Sequence, residues 1–133
     1  MSTDTADCAY DYAIVRVMPR VEREEFINVG VIVSCPSRRF LEARVELDDA
    51  RLLALAPNAD IQTVRAHLES IILICRGGNS AGFIGQLAAR ERFYWVTARR
   101  STIIQMSPVH VGRCADPEIL VEHLMQTMVR SPR

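Results

Sequence analysis

The sequence contains no lysine; all sixteen of its basic residues are arginine. That absence excludes Schiff-base catalysis, the lysine of a phosphate-binding loop and the ATP-binding lysine of a kinase. G-x-S-x-G, a glycine-rich phosphate loop, G-x-G-x-x-G after a strand and H-E-x-x-H are missing too, so the common hydrolase, nucleotide and zinc-protease fingerprints are not there. No apolar run approaches the roughly 20 residues that span a bilayer. Acidic Asp4 and Asp7 stand where a secretory leader carries its basic and apolar segments. A cytoplasmic protein without a membrane span is expected. Aromatic residues make up only 6% of the chain, and Trp95 is its one tryptophan.

What is present is an ordinary globular composition: 133 residues, 49% hydrophobic and 24% charged. A chain of that length buries about two thirds of its unfolded surface, so it needs neither metal nor disulfide to hold a core. Sixteen acids balance the sixteen arginines, and no net field draws the chain to nucleic acid or anionic lipid. Nucleic acid is therefore a partner the composition allows but does not favour. The charge is uneven: residues 1–66 hold eight Arg and eleven acids, residues 67–133 eight Arg and five acids. Five Arg meet only Glu91 between Arg90 and Arg113. Cys8, Cys35, Cys75 and Cys114 lack the close spacing of a zinc or redox motif and read as free thiols, with Cys35 and Cys75 in the core. His67, His110 and His123 have no close ligand partner, so neither metal nor cofactor is expected.

Periodicity gives an α+β protein. Residues 1–9 read as a disordered tail, 10–129 as one globular domain and 130–133 as a second tail. Tyr12–Met18 is apolar on both faces except for Arg16, as in a strand covered on both sides. A short helical turn follows Pro19, then a strand over Val29–Cys35 and a turn at Pro36-Ser37-Arg38. Leu41–Leu47 alternates without a fault, with Leu41, Ala43, Val45 and Leu47 on one face and Glu42, Arg44 and Glu46 on the wet one. Asp48 caps a short helix, Asp60 a longer one striped by Ile61, Val64, Leu68, Ile71, Ile72 and Cys75, and Asp116 a last one burying Leu120, Leu124 and Met128. Phe93–Ala98 and Ser101–Met106 are β-prone. Strands first and helices after give an antiparallel sheet of about four strands, with the helices at 60–76 and 116–129 packed on one face.

Two polar segments stand out. Arg16, Arg20, Glu22, Arg23, Glu24, Glu25 and Asn28 crowd the junction of the first two strands. A guanidinium on an otherwise apolar strand needs either an internal carboxylate, Glu24 or Glu25, or an anionic ligand. The second segment interleaves Trp95 with Arg99 and Arg100 and adds the hydrogen-bonding groups of Ser101, Thr102, Gln105 and His110. Stacking rings beside guanidinium forks suit a protein interface or a single-stranded nucleic acid, whereas Phe93 and Trp95 can equally be core residues on one strand face. No residue of either segment is assigned a catalytic role.

The same segments carry a family resemblance. Tyr10–Ile32 and Arg92-Phe-Tyr-Trp-Val-Thr-Ala98, with Arg100-Ser-Thr102 and Ser107-Pro-Val-His110, resemble the two signature blocks of a bacterial family of unknown function, DUF3037, over about Tyr10 to Val129. That family has a proline where this chain has Arg99. The resemblance implies no activity. It implies gene neighbourhood with a HipA-like kinase, and hence an accessory binding module as the first expectation. The alternative is a small enzyme acting on a phosphorylated or nucleotide-like substrate. Glu24 or Glu25 and His110 would move protons in it, and Arg16, Arg20 and Arg100 would hold the anion.

Overall fold

The computed structural model describes residues 7–98 and 102–131. β1 (Cys8–Arg20), β2 (Glu25–Cys35) and β3 (Phe40–Val45) form two successive antiparallel hairpins. Each hairpin turns through a 3-10 turn, and each turn closes on a left-handed residue, Glu24 at φ 56° and Arg39 at φ 52°. Then come α1 (Asp49–Leu55), α2 (Ile61–Arg76), the single turn α3 (Gly82–Gly85) and α4 (Ala89–Thr97). β4 (Ile104–Met106), β5 (His110–Cys114), α5 (Pro117–Leu124) and a π-helical turn at Met125–Val129 complete the order. The strands lie β3-β2-β1-β4, with β5 also on β1, and all pairings are antiparallel. The protein is thus α+β with an antiparallel sheet, as read from the sequence.

β1 is the centre of the sheet. β2 pairs along one side of it; β4 takes Val15–Val17 and β5 takes Cys8–Tyr12 on the other. Ser107 fills the gap between them, its N–H donating to the Ile14 carbonyl at 2.9 Å and its hydroxyl oxygen accepting from the Ile14 N–H at 2.8 Å. In the β1–β2 ladder Val15 faces Gly30 and Arg16 faces Asn28, so Val29 is an extra residue. This bulge lets Val29 and Ile32, three positions apart, enter the same core. Gly30 is required there because a Cβ would lie 2.4 Å from the Arg44 carbonyl oxygen.

Two cores flank the sheet. Val15, Val17, Ile32 and Ala43 pack on Leu52, Val64, Leu68, Ile71, Cys75 and Phe93. On the other face Val31 and Val33, with Tyr10, Tyr12 and Phe40 beside them, pack on Val121, Leu124, Met125 and Val129. All three anticipated caps form: the carboxylates of Asp48, Asp60 and Asp116 accept from the N–H groups of Arg51, Thr63 and Glu118.

Four sequence expectations are corrected. α5 lies on the face opposite α2, which is why β2 is apolar on both sides. The buried stripe of the last helix is Val121, Leu124, Met125 and Val129, whereas Met128 is 38% exposed, because the π turn shifts the phase of the final residues. Phe93–Ala98 is not a strand: residues 93–97 belong to α4, whose Phe93 and Val96 face the core at helical spacing. Finally, Cys8 and Ala9 are not tail residues but pair with Cys114 and Arg113 of β5.

Charged groups fix the helices. Arg92 donates through Nη1 to the carbonyls of Ile74 and Cys75 at 2.9 and 2.6 Å and through Nε to Leu87 at 3.0 Å, closing the C-terminal end of α2. Arg92→Met should therefore cost roughly 1.5–3 kcal/mol, read from the urea unfolding midpoint. At the rim of the second core Arg44 and Arg130 both pair with Glu122, and Arg130 also pairs with Glu46. Hydrogen bonds from Arg130 hold the Glu46 and Glu122 carboxyls below the usual range. Because the folded values lie below the unfolded ones, the stabilisation is complete above the ordinary carboxylate value of about 4.3 and is lost as pH falls through the folded values. Thermal stability followed by circular dichroism should fall across that acid range, and less steeply in Arg130→Gln.

Candidate functional site

Directly opposed residues in antiparallel strands share a face. Arg16 of β1 faces Asn28 of β2 on one side and Gln105 of β4 on the other, so three polar side chains form a row across the sheet, away from the first core. Beside this row lies an open polar cleft of about 900 Å³ lined by Arg16, Glu22, Glu24, Gln105, Ser107 and Val109, among others. The junction of the first two strands and the segment before His110 thus meet at one concave surface.

Among the described residues Arg16 has no internal carboxylate. Glu25 is taken by Arg23 at 2.6 Å, and among the described residues no acid lies within ion-pair distance of Arg16. Its guanidinium stacks instead over the Phe26 ring at 4.2 Å. Arg16 Nε and Asn28 Oδ1 are both buried without a hydrogen-bond partner, while Asn28 Nδ2 donates to the Met128 carbonyl at 2.9 Å. Arg16 lines the cleft, so its guanidinium is placed to meet an anionic group there.

On the opposite face of β4 lies a smaller cavity of about 260 Å³, mostly apolar, lined by His67, Ile71, Ile74, Trp95, Val96 and Ile103 among others. Gln105 and Met106 line both spaces. Trp95 is 43% exposed, which places it on the rim rather than in the core, in contrast to fully buried Phe93. Thr102 also lines the apolar cavity, and its hydroxyl donates to the Ile104 carbonyl at 2.8 Å.

The remaining candidates do not join the cleft. Arg20 is exposed at the end of β1, and Arg23 and Glu25 pair with each other on the surface of the turn. His110 stacks on Tyr12 with centroids 5.1 Å apart at the head of β5. The acid–base pair of the enzyme alternative is therefore not assembled: Glu24 lines the cleft and His110 does not. Arg99, Arg100 and Ser101 lie outside the described residues. Among the described residues no group of three His, Cys, Asp or Glu side chains is arranged to hold a metal ion, and no helix is long and apolar enough to cross a membrane. Sequence reasoning did not single out Met106, Val109 or His67, since an apolar residue or a lone histidine carries no signal that it borders a cavity.

Residues 12–129 match the model of a protein family of unknown function, DUF3037. The chain belongs to the DUF3037 family. No curated protein and no solved structure matches it. The DUF3037 match contains both walls of the cleft, and both sequence blocks that carry the family resemblance contribute to its lining, the first through Arg16, Glu22 and Glu24 and the second through Thr97, Ser107 and Val109.

The geometry of Arg16 gives a direct prediction. An internal ion pair would make Arg16→Met cost roughly 3–5 kcal/mol. With only the stacking on Phe26 to lose, the variant should unfold in urea within about 1 kcal/mol of the wild type.

Proposed function

We propose that the protein is a non-catalytic binding module that accepts an extended segment of a partner protein along the free side of β4. The observation that carries this reading is the pair of spaces flanking one strand and sharing Gln105 and Met106. Met18 N–H donates to the Ile103 carbonyl and Ser107 N–H to Ile14. In an antiparallel ladder with those bonds, the N–H and C=O groups of Ile104 and Met106 point away from β1, the Ile104 carbonyl accepting there from the Thr102 hydroxyl. Among the described residues no strand lies on that side. An added strand places alternate side chains on opposite faces. One set would enter the apolar cavity beside Trp95, and the other would meet Arg16 and Gln105. The segment that fits presents apolar side chains to the cavity and a single carboxylate to the cleft, where it meets the Arg16 guanidinium.

The partner that the family resemblance brings forward is a HipA-like kinase encoded nearby. Mixed with that kinase, the purified protein should give a complex that survives gel filtration. Trp95→Ala should weaken the complex by about 1–3 kcal/mol, the usual cost of truncating an aromatic anchor. Met106→Pro should abolish it, because the substitution removes an outward N–H without touching the β1 ladder. Wild-type assembly by both variants, each folded by circular dichroism, would remove β4 as the docking edge.

A further inference from the structure

Cysteines far apart in sequence meet at the start of β1. Cys35 Sγ donates to Cys8 Sγ at 2.8 Å, and Cys8 Sγ lies 3.9 Å from Cys114 Sγ. Register brings them together: Cys8 is the cross-strand partner of Cys114, and Cys35 ends β2 on the other side of β1. The three differ in access. Cys35 is fully buried and Cys8 is 6% exposed, whereas Cys114 is half-buried and borders a surface depression of about 270 Å³ with Asp116, Ile119 and His123. Cys75 lies apart in the first core.

A tetrahedral metal with bonds of about 2.3 Å to thiolates would separate the sulfurs by roughly 3.7 Å. The 2.8 Å contact between Cys8 and Cys35 is too close for that, and less than about 1 Å of movement would bring the two sulfurs to the bonded distance of about 2.05 Å. We infer that Cys114, Cys8 and Cys35 form a thiol relay that accepts oxidising equivalents from a small disulfide, of the class of oxidised glutathione, and stores them as a Cys8–Cys35 disulfide. The Cys114 thiolate attacks one sulfur of the small disulfide, forming a mixed disulfide and releasing the first small thiol. Cys8, giving up its proton to solvent, attacks Cys114 Sγ and expels the second small thiol. Cys35 then attacks Cys8 Sγ, and Cys114 leaves as a thiolate that takes up a proton. In sum two protein thiols are oxidised and one small disulfide is reduced to two thiols. Burial pushes the Cys114 thiol up to about 11 and raises that of Cys35, so the exchange is slow at neutral pH.

Each cysteine falls on a separate tryptic peptide, because Arg16, Arg23, Arg38, Arg65, Arg76, Arg113 and Arg130 divide them. The full chain, reduced and then incubated with oxidised glutathione, is quenched with N-ethylmaleimide, unfolded and mapped by mass spectrometry. The expected product is the peptide ending in Arg16 linked to the one ending in Arg38, with Cys75 and Cys114 alkylated. Cys114→Ser should reach the same product at least tenfold more slowly, and Cys35→Ser should stop at a Cys8–Cys114 bond. Four alkylated cysteines in the wild type after prolonged incubation, or a bond to Cys75, would overturn the inference. Equal rates for wild type and Cys114→Ser would remove Cys114 as the point of entry.

Discussion

The structure depends on keeping the backbone of one buried strand hydrogen-bonded on both sides. Ala13, Val15 and Val17 of β1 have no exposed surface, so the N–H and C=O groups around them have no water to turn to. β2 meets this need along one side in a hairpin, where sequence neighbours pair at low entropic cost. The other side must be supplied from more than eighty residues further on, and it is supplied in two pieces, β4 and β5, because the chain steps out of register between Met106 and His110. Ser107 takes both backbone groups of Ile14 in the gap, so Ile14 stays paired across the interruption. The same interruption shapes the cleft. Ser107 and Val109, at and just beyond the interruption, line the cleft together with Arg16 and Gln105.

Most of the scaffold was legible because its signals are local. The alternation at 41–47, the stripe of α2 and the three aspartate caps each involve residues a few positions apart, and each forms. What was missed is set by long-range constraint. His-Val-Gly-Arg-Cys at 110–114 has neither strong β propensity nor a buried face, and it is a strand because the edge of β1 requires a partner. Residues 93–97 hold an aromatic cluster that fits a strand pattern, but Phe93 and Val96 can reach the first core only at helical spacing. The side of the sheet that α5 covers was not readable either, since Glu42, Arg44 and Glu46 read as a wet face. They are polar because Arg44 meets Glu122 and Glu42, and Glu46 meets Arg130, at the rim of the second core rather than water alone.

The candidate site shows the same division. Arg16 could be singled out from sequence because a guanidinium on an apolar strand demands an explanation. Its carboxylate could not be assigned, because the bulge at Val29 and the left-handed turn at Glu24 decide where the acids point. The outcome is a cation stacked on Phe26, with one buried donor open and with Glu22 and Glu24 across the cleft. Such a mixed lining disfavours a multiply charged phosphate, which the two acids would repel. It suits a single carboxylate on a neutral backbone.

The thiol cluster and the cleft share β1 but lie at opposite ends of it. Cys8 and Arg16 are eight residues apart, roughly 26 Å along an extended strand. A bond between Cys8 and Cys35 would fix the start of β1 against the end of β2. It would reach Arg16 only if β1 moved lengthwise against its neighbours. A slip of one residue would turn Ala13, Val15 and Val17 out of the first core and bring Arg16 into it, so the register is held far more tightly than one remote crosslink can disturb. The proposed oxidation at one end and the proposed docking at the other are therefore energetically separate, and a test of either stands without the other.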